Sequence, residues 1–162
     1  MKIGQDIFVQ QGILDCHIDQ LIQYSLTDPE IKKYTSDPKR FASRESFFEW
    51  QRQGRIIYTL VDQQQNLLGI IWFGQKDPPI SINANFTFAI RIYGAARGQG
   101  LSQEFMKIAF DDLLKNQTHS HITGFWLETD QSNLPAIHSY EKFGFKSVSQ
   151  VEGRSIMLLS KK

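Results

Sequence analysis

This 162-residue sequence predicts an α/β fold with a mixed, mostly antiparallel sheet of about seven strands flanked by about four helices. Three observations carry that reading. Short runs rich in β-branched and aromatic residues alternate with stretches whose apolar positions recur at helical spacing. Polar turns join neighbouring strand-like runs in the manner of hairpins. In the middle of the chain, a strand, a glycine-rich turn and an amphipathic helix follow one another directly.

The elements follow in order. A short strand is expected over Ile7 to Val9. Ile13, Leu14, Ile18, Leu21 and Ile22 fall on one helical face, which ends near Thr27-Asp28-Pro29. A polar connection from Thr27 to Ser43 leads to a helix over Arg44 to Gln51, with Ser43 and Ser46 as candidate caps and Gly54 closing it. Strands Arg55 to Val61 and Leu67 to Gly74 form a hairpin around the polar turn Asp62 to Asn66. Asp77-Pro78-Pro79 breaks the pattern before the strand Phe86 to Tyr93, and the long helix is Leu101 to Lys115. Then come a strand at Ile122 to Thr129, a helix from about Leu134 to Lys142, and strands Phe145 to Val151 and Ser155 to Leu159 turned by Glu152-Gly153-Arg154.

The length fits one domain over residues 1–162, large enough for its own core. The 41% apolar content lies in short periodic runs, and Met1-Lys2-Ile3-Gly4-Gln5-Asp6 lacks the apolar region of a signal peptide, so a soluble protein without membrane association is expected. Cys16 is the single cysteine. It cannot form an intramolecular disulfide or anchor a cysteine zinc site, which fits a reducing, cytoplasmic setting, and it reads as a small buried residue of the first helix. A net charge of +1, with only the pairs Lys32-Lys33 and Lys161-Lys162, gives no footprint for nucleic acid. His119 and His121 form the one close histidine pair and no HExxH occurs, so no metal is expected.

The stretch Arg97-Gly98-Gln99-Gly100-Leu101-Ser102-Gln103 carries the functional signal. Glycines allow positive φ and close approach of an anion to the backbone, and the first N–H groups of the following helix point at that anion. A P-loop would place Lys and Ser or Thr after its last glycine, but Leu101 and Ser102 follow Gly100 and the next Lys is Lys107. A dinucleotide fingerprint would place a small residue where Gln103 stands. What remains is Arg97-x-x-Gly100-x-Ser102, which resembles the pyrophosphate-binding loop of the GNAT superfamily of N-acetyltransferases. The later segment Phe125 to Phe145, with Glu128 at a strand end, then Asn133, Ala136, Tyr140-Glu141-Lys142 and Gly144-Phe145, resembles that superfamily's second cofactor segment. Asp28 to Tyr34, Ser43, Glu45, Trp50 and Tyr58 to Val61 are similar to the branch of ribosomal-protein N-terminal acetyltransferases. Ser102 and Gly94 depart from the superfamily pattern, which favours Gly or Ala and Pro at those places.

The resemblance implies the acyl-CoA N-acyltransferase fold in a single N-acetyltransferase domain, with acetyl-CoA as cosubstrate. It implies a strand edge at Ile90, Arg91 and Ile92 for the pantetheine arm, with a backbone donor for the thioester carbonyl. Arg97, Gly98, Gln99, Gly100, Leu101, Ser102 and Gln103 would hold the pyrophosphate, and Asn133 would cap its helix and reach the pantetheine. Transfer to an amine needs a proton acceptor and a proton donor. Tyr140 is the candidate general acid and Glu128 the candidate general base. Structural alternatives stand beside them: Tyr140 as a core aromatic packed with Ile137 and Phe143, and Glu128 as a solvated strand-end carboxylate. The acceptor is a small-molecule amine or a peptide or protein amine, and a catalytically silent acyl-CoA-binding domain is the reading from another class. Homodimers are frequent among similar proteins.

Overall fold

Eight strands form one sheet in the order β1-β2-β3-β4-β5-β6-β8-β7 in the computed structural model, which describes residues 1–4 and 6–160. The Lys161-Lys162 pair therefore lies outside the described residues. The strands are β1 (Lys2–Ile3), β2 (Ile7–Gln11), β3 (Ile56–Asp62), β4 (Leu67–Gln75), β5 (Phe86–Ile92), β6 (Gly124–Asp130), β7 (Lys146–Val151) and β8 (Arg154–Ser160). Every neighbouring pair is antiparallel except β5 and β6, which run parallel. The sheet is mixed and mostly antiparallel, as the sequence predicts, with the two-residue β1 as the added strand. β6 starts two residues later than expected and runs on to Asp130.

Six α-helices are present: α1 (Asp15–Thr27), α2 (Pro29–Tyr34), α3 (Asp37–Arg40), α4 (Arg44–Gln51), α5 (Leu101–Lys115) and α6 (Leu134–Phe143). The polar connection expected from Thr27 to Ser43 contains α2 and α3. Asp28 starts α2 by accepting hydrogen bonds from Glu30 N at 3.0 Å and Ile31 N at 3.3 Å, and Pro29 occupies the first turn, where no N–H is needed. Ser43, not Ser46, caps α4, accepting from Ser46 N at 3.2 Å. In the β3–β4 turn, one Asp62 carboxylate oxygen accepts from Gln64 N and Asn66 N, which fixes the hairpin.

Two apolar clusters cover the two faces of the sheet. Beneath α5 and α6, Phe110 packs edge-on to Phe73 at 4.9 Å and to Phe125 at 4.7 Å, and Phe88 stacks on Phe145. On the other face, Phe41, Trp50 and Trp72 pack edge-to-face at 4.9–5.9 Å under α1 to α4. Cys16 is exposed, contrary to the expectation of a buried residue. The inward face of α1 is set by His17, Ile18, Leu21 and Ser25, and Cys16 precedes that stripe on the solvent side.

Candidate active site

The one parallel pair of the sheet opens after two residue pairs. Phe86 pairs with Phe125 and Thr87 with Trp126, and there the ladder stops, although β5 stays in register with β4 as far as Ile92. The splay therefore lies wholly on the β6 side, with no register shift against β4. Tyr93 N donates to Leu68 O at 2.8 Å, so by alternation along the antiparallel ladder Arg91 turns its backbone groups to β4, while Ile90 and Ile92 turn theirs into the gap. The Ile90 carbonyl faces that way, since it accepts from the Arg91 guanidinium at 2.9 Å. Of the three expected edge residues, Ile90 and Ile92 thus present backbone to the gap. Arg91 contributes a largely buried side chain, held by Asp37 at 2.6 and 3.1 Å and lying over Trp72.

The glycine turn stands at the open end of the gap. Gly98 and Gly100 have φ of +74° and +72°, and a β-carbon at either would meet nothing within 4 Å, so both open onto free space. Gly100 is the N-cap of the 15-residue α5, which leaves the first-turn N–H groups of the helix directed outward beside it. The Arg97 guanidinium does not reach across this space. It pairs with Asp28 at 2.7 Å and with Glu30 at 3.4 Å, tying the turn to α2. Ser102 Oγ lies 3.2 Å from Ser139 Oγ, and Gln103 Nε2 donates to Ser139 O at 2.9 Å, so both side chains fasten α5 to α6. Serine in place of Gly or Ala fits because its hydroxyl takes that partner. Gly94, where Pro is common, adopts a φ of +43° in a short 3₁₀ turn.

Gap and turn belong to a cleft of about 560 Å³. It brings together Ile90, Arg91, Ile92, Arg97, Gly98, Gly100, Leu101 and Ser102 with Glu128, Asn133 and Tyr140. Gln99 and Gln103 lie outside its lining. Asn133 accepts from Ala136 N at 3.4 Å as the N-cap of α6. Tyr140 is only 7% exposed, its ring 6.2 Å from that of Phe88 and 6.0 Å from that of Phe145. Burial raises its phenol above the usual tyrosine range, against the opposing pull of the Arg91 and Arg154 charges. The Glu128 side chain is exposed along β6, within the strand rather than at its tip, and its carbonyl accepts from Arg154 at 3.3 Å.

Sequence reasoning missed the far wall of the cleft. Arg40, Trp50, Trp72 and Trp126 line it from α3, α4, β4 and β6, with Arg55 just before β3 and Lys76 just after β4. It also missed the two carboxylates beneath, Asp28 and Asp37. Asp28 reads locally only as part of the end of the first helix, and its pairing with Arg97, 69 residues on, has no local signal.

A splayed strand pair with a glycine turn and a helix N-terminus at its mouth fits acetyl-CoA. The gap presents strand backbone at Ile90 and Ile92, and the turn presents open glycines beside a helix N-terminus. Fold and site together define an acetyl-CoA-dependent N-acetyltransferase. The sequence matches the acetyltransferase (GNAT) domain family over residues 14–146, and the chain belongs to that family. Among solved structures, a domain from Methanocaldococcus jannaschii is similar at a TM-score of 0.75 and 16% identity, covering 97% of this chain and 100% of that one. Spermidine N-acetyltransferase from Vibrio cholerae, in complex with CoA and spermine, gives 0.69 at 16% identity over 94% and 92%. An aminoglycoside acetyltransferase in complex with coenzyme A and kanamycin gives 0.73 at 18% identity over 96% and 95%. At such identities the likeness is one of fold. No curated protein sequence matches the chain significantly. Among the described residues, no group of His, Cys, Asp and Glu is placed to hold a metal ion, and no helix is long and apolar enough to cross a membrane.

Proposed function

We propose that the protein acetylates a primary amine of a small molecule by direct attack, with Glu128 as general base and Tyr140 as general acid. The observation that carries this reading is the gap between β5 and β6, with the glycine turn at one end and both side chains in its walls. Acetyl-CoA supplies the acetyl group as an activated thioester. Ile90 and Ile92 offer backbone to its extended arm, and Gly98 to Ser102 offer open backbone to its pyrophosphate. Glu128 takes the first proton of the acceptor ammonium, which frees the amine to attack. Tyr140 protonates the departing sulfur, and the second proton shed by the acylated nitrogen returns to the Tyr140 oxygen, so the products are the acetylated amine, the CoA thiol and one net proton, carried off from Glu128. A phenol raised by burial holds its proton through the neutral range, as a donor must.

The test is CoA release with a panel of small amines, aminoglycosides and ribosomal-protein N-terminal peptides. Turnover of small amines supports the reading. Activity confined to peptides or a folded protein would assign protein acetylation instead, and binding of acetyl-CoA without turnover across the panel would assign a silent binding domain.

Gly100→Val tests the phosphate cradle. Gly100 has a left-handed φ that β-branched residues adopt only with strain, and the added side chain would project into the open space at the helix N-terminus. Acetyl-CoA at about 100 times its Kd is expected to stabilise the native protein by roughly 2.7 kcal/mol, and the variant is expected to lose that thermal shift. An undiminished shift in folded Gly100→Val would remove the turn from the cofactor site.

For Glu128→Gln, turnover should fall on the order of 10²-fold near neutral pH and recover in part as rising pH supplies free amine. Acetyl-CoA affinity should hold. Wild-type rates at every pH would leave Glu128 a solvated strand residue, and proton removal would pass to water.

A further inference from the structure

The acceptor wall of the cleft carries more positive charge than its carboxylates balance. Arg40, Arg55, Lys76 and Arg154 all border it, whereas the acids of the cleft lining among the described residues are Glu128 and Glu30, and Glu30 pairs with Arg97. Arg40 shares the one buried carboxylate of Asp37 with Arg91, and Arg154 donates to the Glu128 carbonyl. Among the described residues, Arg55 and Lys76 form no ion pair. Arg55 makes one side-chain hydrogen bond, to Gln53 at 3.2 Å, and its Nε is buried with no acceptor.

Two further features hold these cations in place. Each lies on an indole: Arg55 over Trp50 at 5.8 Å, and Lys76 over Trp126 at 5.4 Å, with the Trp126 N–H donating to the Lys76 carbonyl at 2.7 Å. The second is Gly74 on β4. A β-carbon there would clash with Arg55 Nη1, so the guanidinium lies against β4 in the space that residue 74 leaves by having no side chain. Burial and the neighbouring Arg40 charge both pull the Arg55 guanidinium below its usual range, the mark of a cation that lacks its counter-ion. Arg55 is half-buried with its Nε shut off from an acceptor, and Lys76 is exposed at the cleft rim, so an incoming anion reaches both and supplies the charge that Arg55 lacks.

We infer that the acceptor amine carries an anionic group, a carboxylate or phosphonate, which docks against Arg55 and Lys76 while its amine faces Glu128. This deepens the acetyltransferase reading and rests on it. It also sets the chain's acceptor apart from a polyamine, whose repeated positive charges this wall repels.

Two measurements test it, one of them independent of turnover. In the first, matched acceptors are compared by kcat/KM: aminoethylphosphonate against ethylamine, and phenylalanine against phenethylamine, with spermidine and short peptides alongside. The anionic member of each pair is expected to be preferred on the order of 10- to 100-fold, the range of a charge-assisted hydrogen bond. Arg55→Gln, Lys76→Gln and Gly74→Ala, the last by displacing Arg55, are each expected to shrink that ratio. In the second, phenylphosphonate, an anion without an amine, is titrated calorimetrically into the CoA-saturated protein, where it is expected to bind and to bind about tenfold more weakly in Arg55→Gln. Preference for spermidine or for the neutral amines would overturn the inference, as would equal losses on both members of a pair. If no acceptor is acetylated, the enzymatic reading fails by itself and the phenylphosphonate titration decides the anion site: binding lost in Arg55→Gln upholds it, and no binding removes it.

Discussion

Tyr140→Phe is expected to lower turnover on the order of 10² to 10⁴-fold while leaving acetyl-CoA affinity and stability near wild type. The ring is fixed by Phe88 and Phe145 on the core side of the cleft, and phenylalanine keeps those contacts. Only the hydroxyl is lost, so the variant separates proton donation from packing. Single-turnover rates with a good acceptor, together with acetyl-CoA binding by calorimetry, provide the measurement. A variant that turns over normally would make Tyr140 a packing residue and send the search for the acid elsewhere.

Asp37→Ala should be among the most destabilising single substitutions in this protein. Asp37 is fully buried, with one carboxylate shared between Arg91 and Arg40. Burial by itself would lower the Arg91 guanidinium, and the charge and hydrogen bonds of Asp37 reverse that and raise it. Removing the carboxylate leaves the largely buried Arg91 unpaired beneath the cleft and takes the partner of the more exposed Arg40 as well, a loss of about 3–5 kcal/mol. For a chain of this size that corresponds to a fall in Tm of roughly 10 °C. Urea or thermal unfolding measures it. Combining Asp37→Ala with Arg91→Met should recover much of the loss, because the orphaned charge leaves together with its partner. A cost below about 1 kcal/mol would show that solvent reaches Arg91 and that the pair does little.

The sequence made the middle of the molecule legible because its signals are local. Phe86 to Tyr93 has strand composition, Gly98 and Gly100 mark the turn, and Leu101 to Lys115 has a helical apolar stripe. Each is decided within a few residues, and each element lies where expected. The segment from Thr27 to Ser43 was not legible, since helices of six and four residues are too short to show a period. Site residues divide in the same way. Gly100, Asn133 and Tyr140 stand in recognisable strings, whereas Asp37 meets Arg91 across 54 positions and Arg55, Lys76 and their indoles converge from separate elements. Such convergence is a property of topology, which charge and hydropathy patterns do not encode. Gln99 and Gln103 show the converse: they belong to the string yet lie outside the cleft lining, and Gln103 serves the α5–α6 contact.

The parting of β5 from β6 also places an unpaired edge in the interior of an eight-stranded sheet. Exposed edges invite other chains to add a strand, and sheets are often guarded at their margins for that reason. Here the Ile90 and Ile92 backbone that β6 leaves unpaired lines a walled cleft, which the glycine turn and the arginine–indole wall also line. The fold thus keeps strand-pairing capacity in its centre, among cleft walls, rather than at a margin of the sheet where a free edge would invite aggregation.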